Sequence, residues 1–183
     1  MIGGELRGRR LSAPAGHAVR PTSDRVREAV FDILFSLGGV EGLQVADLFA
    51  GTGAMGIEAL SRGAASVTFV DASPVALTTL RGNLRSVGLT EAELDGDATV
   101  ICGDVMSWTA TAASRYDLVL CDPPYGFDQW EPLVTRLPGD LAILESDAEI
   151  PAACGWGVIK SKRYGGTIVT VARPELAARK GVS

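Results

Sequence analysis

The 183-residue chain is poor in residues that carry chemistry on their own: it has three cysteines and one histidine. Cys102, Cys121 and Cys154 are odd in number and lack CxxC spacing. Neither a disulfide framework nor a zinc site is expected from them, and a reducing cytoplasm is. The lone histidine, His17, lies in a basic N-terminal arm and offers no metal set. The apolar runs are short and broken by charge, so none is long enough to cross a bilayer. Met1–Leu11 has no apolar stretch of the kind a secretory signal needs. Glycine, at 22 residues, and proline, at 9, are ordinary, which excludes collagen-like and low-complexity chains. What is present is 46% hydrophobic and 21% charged sequence, enough for one domain with a sizeable core, expected over residues 1–183.

The net charge of −5 argues against a nucleic-acid partner until it is divided by position. Met1–Val30 holds six Arg against three acids, and Phe31–Cys154 five Arg against eighteen. Gly155–Ser183 holds six Lys/Arg against one acid. An acidic body with two basic ends is a different object from a uniformly acidic protein.

Residues 1–22 read as a basic arm in which Gly8-Arg-Arg-Leu11 could pair as a small hairpin, and residues 23–183 as the core. Thr22-Ser-Asp24 offers N-cap chemistry to a helix carrying Val26, Ala29, Val30, Ile33, Leu34 and Leu37 at helical spacing, ended by Gly38–Gly39. Strands are then expected at Leu43–Phe49, Ser66–Asp71, Thr99–Cys102, Tyr116–Cys121 and Leu141–Leu144. Helices are expected at Ala54–Arg62 and Pro74–Val87, with a weaker one at Trp130–Arg136. Glu91–Asp97 reads as an acidic loop, and Val158–Lys162 with Thr167–Ala172 as a terminal hairpin. The alternation predicts an α/β fold, a mostly parallel sheet with helices on both faces and an antiparallel hairpin at its end.

Gly51, Gly53 and Gly56 form GxGxxG between the first strand and its helix, and Asp71 follows Gly51 by twenty residues. That pattern suits a dinucleotide, with a tight turn that holds no ligand as the weaker alternative. Asp47 bears on the choice. It ends the first strand, where a pyrophosphate would bring like charges together, whereas the sulfonium and ammonium of S-adenosylmethionine would meet an opposite one. Phe49 and Ala50 offer an apolar wall beside Gly51, Thr52 and Gly53. Asp71, with Ala72 next to it, is placed for ribose hydroxyls. Asp104 and the Val105 N–H are placed for an adenine edge, although Asp104 is equally well placed to cap a helix.

Asp122-Pro-Pro-Tyr125 follows the fourth strand. Pro123 and Pro124 force the chain out of the sheet and fix φ, so the Asp122 carboxylate and nearby carbonyls become rigid acceptors. Such acceptors can draw the planar amine of a nucleobase toward a tetrahedral nucleophile, with Tyr125 as a stacking face. No covalent intermediate is needed. Cys121 reads as a buried strand thiol.

With these motifs, the chain resembles the class I methyltransferases with an N/D-P-P-Y/F turn, and more narrowly the RsmD family of small-subunit rRNA guanine-N2 methyltransferases. The resemblance spans nearly the whole chain. It includes Arg20-Pro-Thr-Ser-Asp-Arg-Val-Arg-Glu-Ala29, Glu58-Ala-Leu-Ser-Arg-Gly-Ala64 and Tyr164-Gly-Gly-Thr167. Asp32, where the family commonly has Asn, Asp71, where Glu is more usual, and the Gly pair after Tyr164 depart from it. The resemblance implies a Rossmann-like fold, S-adenosylmethionine as cofactor and a guanine 2-amino group of 16S rRNA as acceptor. It also implies a substrate already carrying ribosomal proteins, and a place for Thr22 near the methionine end of the cofactor. Arg7, Arg9, Arg10, Arg20, Arg25 and Arg27 are then candidate phosphate contacts, with Lys160, Lys162 and Arg163 weaker ones. A monomer with no metal and no membrane is expected. Adenine-N6 methylation, a nicotinamide oxidoreductase and a non-catalytic assembly module are the other readings. The last two are disfavoured by the lone, badly placed His17 and by the intact Asp122 and Tyr125.

Overall fold

A computed structural model describes residues 1–12, 24–88, 97–150 and 155–175. Arg20, Thr22, His17, Cys154 and most of the acidic loop expected at 91–97 lie outside the described residues.

Twelve elements follow one another among the described residues: α1 (Asp24–Ser36), β1 (Gln44–Leu48), α2 (Ala54–Ser61), β2 (Ser66–Asp71), α3 (Pro74–Ser86), β3 (Ala98–Cys102), α4 (Val105–Thr111), β4 (Tyr116–Cys121), α5 (Trp130–Val134), β5 (Gly139–Ser146), β6 (Trp156–Tyr164) and β7 (Thr167–Pro174). The strands form one sheet in the order β3-β2-β1-β4-β5-β7-β6. The first five run parallel, while β7 is antiparallel to both β5 and β6. Successive side chains of a strand face opposite sides of a sheet, so a sheet covered twice needs near-continuous apolar strands. In β1, Val45 joins Phe69, Leu118 and Ile143 in a core under α1, α2 and α3. Ala46 and Leu48 join Val119 and Leu144 in a second core with α4 and α5.

The ends of the helices follow their local chemistry. Ser73 caps α3 by accepting from the Ala76 N–H at 3.3 Å, with Pro74 in the first turn. Gly39, at φ 84°, closes α1 by donating to the Leu34 carbonyl at 3.0 Å, a conformation that suits glycine.

Two expectations are corrected. Gly8-Arg-Arg-Leu11 forms no hairpin: residues 1–12 run through turns, and the terminal amine donates to the Arg9 carbonyl. Leu37 falls beyond α1 and is exposed, since the helix has already ended at Ser36. Asp104 caps a helix, as its place in the sequence allows: residues 105–111 form α4, in which only Val105 and Thr109 are buried.

The parallel order reverses direction of growth between β1 and β4. Ligands of open α/β sheets bind outside the carboxyl ends of the strands at such a switch point. Asp47 pairs in register with Leu120, and Leu48 with Cys121, so the glycine loop and Asp122 leave the sheet side by side. Asp71 pairs with Cys102, which places the β2 and β3 exits next to them.

Candidate active site

These exits open into a cleft of about 880 Å³. It gathers Asp47, Phe49, Ala50, Gly51 and Thr52 with Asp71, Ala72, Asp104 and Val105. Asp122, Pro123, Pro124 and Tyr125 close it from the β4 side. Gly53 is not on its wall. At φ 78° it caps α2 instead, and a Cβ there would sit 2.9 Å from the Leu80 side chain. Gly56 is held for a related reason: a Cβ would lie 2.3 Å from the Phe69 ring, so the helix could not approach the sheet.

Asp47 lies on the floor and is only 4% exposed. Its Oδ2 accepts from the Gly56 N–H at 2.8 Å. Burial pushes its carboxyl up to about 8, and the negative charges of Asp122 and Asp71 add to that against the opposing Gly56 bond. Near neutral pH the protonated form predominates.

Asp71 is shaped by backbone. Gly51 N–H donates to Oδ2 at 2.8 Å and Ser73 N–H to Oδ1 at 2.7 Å. Each oxygen retains a further lone pair for a hydroxyl. Asp104 is the N-cap of α4, its Oδ1 accepting from the Ser107 N–H and hydroxyl at 2.8 Å each. Those bonds hold its carboxyl below the usual range. Asp104 and Val105 both line the cleft, so capping and ligand recognition are compatible.

Phe49 takes φ 59°, a left-handed conformation that costs a bulky residue about 1–3 kcal/mol. The turn sends its ring against Phe127 at 5.5 Å, and Phe127 in turn packs edge-on to Trp130 at 5.2 Å. Phe127 N–H also donates to the Pro124 carbonyl at 3.2 Å. The proline turn is thereby fastened to both the glycine loop and α5. Pro123 is buried, Pro124 exposed, and Tyr125 is 64% exposed at the mouth. Cys121, immediately below, is buried and its thiol pushed up by burial, which leaves it inert.

The arm supplies the remaining wall, through Met1, Arg9, Arg10, Leu11 and Ser12. Two side chains to which the sequence alone assigns no role hold it there. Glu58 of α2, fully buried, accepts from the Ile2 and Gly3 N–H groups at 2.9 and 2.7 Å. It also accepts from Arg62 Nε at 2.8 Å. Asn83 of α3 accepts from the Ser12 N–H at 2.7 Å and donates to the Ser12 and Thr52 carbonyls, joining arm to glycine loop. The signal for both was a polar residue on the apolar stripe of a helix: Glu58 beside Ile57, and Asn83 in line with Leu77 and Leu80.

Arg27 is a correction. It is 6% exposed, donates to Asp24 Oδ1 at 2.6 Å and lies 3.7 Å from Glu58, so it is an internal countercharge and not a phosphate contact. Arg7, Arg9, Arg10 and Arg25 are exposed, and Arg9 also donates to the Ser86 carbonyl at 3.1 Å. Arg25 and Arg7 are not on the cleft wall. Among the described residues there is no group of three or more metal-ligating side chains, and no helix is long and apolar enough to cross a membrane.

Comparison with known proteins places the site in context. The family model "Conserved hypothetical protein 95" matches residues 1–173. Ribosomal RNA small subunit methyltransferase D of Haemophilus influenzae is 30% identical over 176 residues, 90% of this chain and 88% of that one. The Escherichia coli K12 protein of the same name is 38% identical over 125 residues, 68% of this chain and 59% of that one. The solved structure of yhhF, a candidate methyltransferase of Escherichia coli, superposes with a TM-score of 0.80 at 31% identity, covering 96% of this chain and 97% of that one.

Proposed function

We propose, from the premise that this chain belongs to the RsmD-like methyltransferase family described as Conserved hypothetical protein 95 and has the Rossmann-like class I methyltransferase fold, that it methylates the exocyclic N2 of a guanine in 16S rRNA. One observation carries the proposal: a single cleft joins the acidic strand ends Asp47 and Asp71 to the rigid Asp122-Pro-Pro-Tyr125 turn.

The floor fits a cationic cofactor. A carboxyl whose ionisation is suppressed by burial and by two neighbouring carboxylates gains most from an added positive charge, and would lose further beside a pyrophosphate. S-adenosylmethionine, when bound, supplies that charge together with an electrophilic methyl group. Asp47 would face its cationic end, with Phe49 and Ala50 as the apolar wall, and Gly51, Thr52 and Ala72 as backbone cradle, while Gly53 starts the helix behind them. Asp71 would accept from the ribose hydroxyls, and Asp104 with the Val105 N–H would read the adenine. The placing of Thr22 near the methionine end belongs to the same proposal, on family grounds.

On the acceptor side, Asp122 and the Pro123 carbonyl accept the two N–H groups of the amine. This localises its lone pair and gives the displaced proton a destination at Asp122. Pro124 keeps these acceptors fixed, and the exposed Tyr125 ring stacks on the base. Arg7, Arg9, Arg10 and Arg25, with Arg20, would hold phosphates. The substrate in this reading is 16S rRNA in an assembling small subunit with its ribosomal proteins, and the enzyme a cytoplasmic, single-domain monomer.

Methyl transfer to small subunits lacking the modification, followed by nucleoside analysis, tests the proposal. Label is expected in N2-methylguanosine; label in N6-methyladenosine overturns the acceptor, and none at all overturns the activity. Asp122→Ala should lower kcat by at least about 10²-fold while S-adenosylhomocysteine still binds by calorimetry. Heat with NAD alone would remove the cofactor assignment.

A further inference from the structure

Beside the cleft lies a second groove of about 740 Å³, between the outer face of α1 and the tip of the β6–β7 hairpin. That volume is within the range of sites that take a small organic ligand or a nucleotide. Tyr125 lines both cavities, so the groove begins where the acceptor turn ends.

The two walls differ in charge. Lys162 and Arg163 stand on the hairpin wall, next to Gly165 and Gly166 of the turn. Along α1, Arg25, Glu28, Ala29 and Asp32 fall at i, i+3, i+4 and i+7, one stripe of the helix facing the groove. Among the described residues, no carboxylate lies within ion-pairing distance of Arg25, Lys162 or Arg163. Lys162 instead holds its ammonium 5.1 Å from the centre of the half-buried Tyr164 ring. Cations spared from internal pairing, on a rim with two tyrosines, make a surface for a polyanion with flat bases.

We infer that this groove is a single-stranded RNA subsite, which holds the nucleotide adjoining the target base. The inference rests on the proposed function, since it takes the target base to sit at Asp122 and Tyr125. A strand whose target enters there must leave past Tyr125, and the groove is the cavity that continues from it. Its polarity sets the orientation. Phosphate goes to Lys162, Arg163 and Arg25, because Glu28 and Asp32 repel it from the middle of the helix wall. Base edges then face those two carboxylates, which accept hydrogen bonds and offer none, so on a base they favour N–H groups over carbonyls. A guanine, with N1–H and N2–H adjacent, satisfies them best, and a uracil, with one N–H, least. The groove thus contributes selection at a position next to the methylated one.

Binding of fluorescent single-stranded RNA octamers to the full chain tests this, in parallel with methyl transfer to small subunits. Lys162→Ala/Arg163→Ala alters exposed side chains only and should fold normally. It should raise the RNA Kd by about tenfold and make the salt slope shallower by roughly 0.7 for each phosphate no longer neutralised. S-adenosylhomocysteine affinity should be unchanged, with KM for subunits raised and kcat kept. Glu28→Gln/Asp32→Asn should erase the preference for a guanine over a uracil neighbour in the octamers. Unchanged RNA affinity and slope in an active enzyme would overturn the subsite while leaving the reaction standing. Weaker RNA binding by the variant of an enzyme that transfers no methyl group would sustain the groove and overturn the reaction.

Discussion

A carboxyl that stays neutral until a cation reaches it makes cofactor binding an acid–base event. Asp47 has its pKa raised from 3.8 to about 8. Between those values the folded chain holds a proton that the unfolded chain has released. The group's contribution to stability is therefore complete below about pH 4 and is lost as pH rises through 8. The thermal midpoint of the ligand-free protein should fall from pH 5 to 8.5, and Asp47→Asn should flatten that part of the fall, since the amide oxygen keeps the Gly56 bond. A cation displaces the proton, so affinity for S-adenosylmethionine should climb toward pH 8 by at most about tenfold per unit. Calorimetry at pH 7 in buffers of differing ionisation heat should register proton release. No release and a flat affinity would mean that no positive charge meets Asp47. The position of Asp47 was legible in the sequence, at the end of an apolar strand just before the glycines. Its proton was not, because ionisation depends on burial and on Asp122 and Asp71, which only the sheet order brings near. Arg27 was misread for the same reason: a charge on a helix declares its partner Glu58 only after α1 and α2 have packed.

The arm is an element without regular structure whose order comes from other elements. The N–H groups of Ile2, Gly3, Leu6 and Ser12 go to the side chains of Glu58, Ser61 and Asn83, each more than fifty residues away, and Glu5 N–H donates to the Ser61 carbonyl at 2.8 Å. The hairpin expected from local composition does not form because Gly8 and Arg9 donate to the Met1 and Leu6 carbonyls in turns, while helix side chains take the donors on either side. By contrast α2, α3 and the five parallel strands were legible, since their apolar periods, the glycine turn before α2 and the Ser73-Pro74 start of α3 act within a few residues. Gly4 is the tightest point of the docked arm: its φ is 71°, and a Cβ would meet the Ser61 carbonyl oxygen at 1.7 Å. Gly4→Ala should therefore undock the arm without unfolding the core. Hydrogen exchange at Ile2, Gly3, Glu5 and Leu6 should quicken, and cofactor affinity should drop as the Met1-to-Ser12 wall leaves the cleft. Glu58→Ala goes further, removing the buried countercharge that Arg62 and the Asp24-bonded Arg27 share, and should cost about 3–5 kcal/mol in urea unfolding. Undiminished protection in Gly4→Ala would show that the arm docks by some other contact.

At the scale of the molecule, the net charge of −5 combines two surfaces with opposite tasks. Of the acidic side chains gathered at the strand ends, Asp71, Asp104 and Asp122 disfavour phosphate at the cleft, while the protonated Asp47 on its floor gains from an added cation. The arm brings Arg9 and Arg10 to one side of the mouth, and the hairpin brings Lys162 and Arg163 to the groove beyond Tyr125. The split was legible as charge counts along the chain, but that the two basic ends flank one opening was not, since residues far apart in sequence meet only through the β5-β7-β6 edge and the Glu58 clamp. If both ends hold separate phosphates of one RNA, their contributions should add. Sites without shared partners usually add within about 0.5 kcal/mol. Neutralising Arg7, Arg9 and Arg10 should weaken RNA binding and flatten its salt slope. Combining this with Lys162→Ala/Arg163→Ala should multiply the two losses and sum the two slope changes. Measured by anisotropy from 50 to 200 mM salt, a combined loss no larger than either alone would place both ends on the same phosphates. An arm variant with an unaltered slope would leave the hairpin as the RNA-facing end, with the arm arginines serving the cofactor cleft.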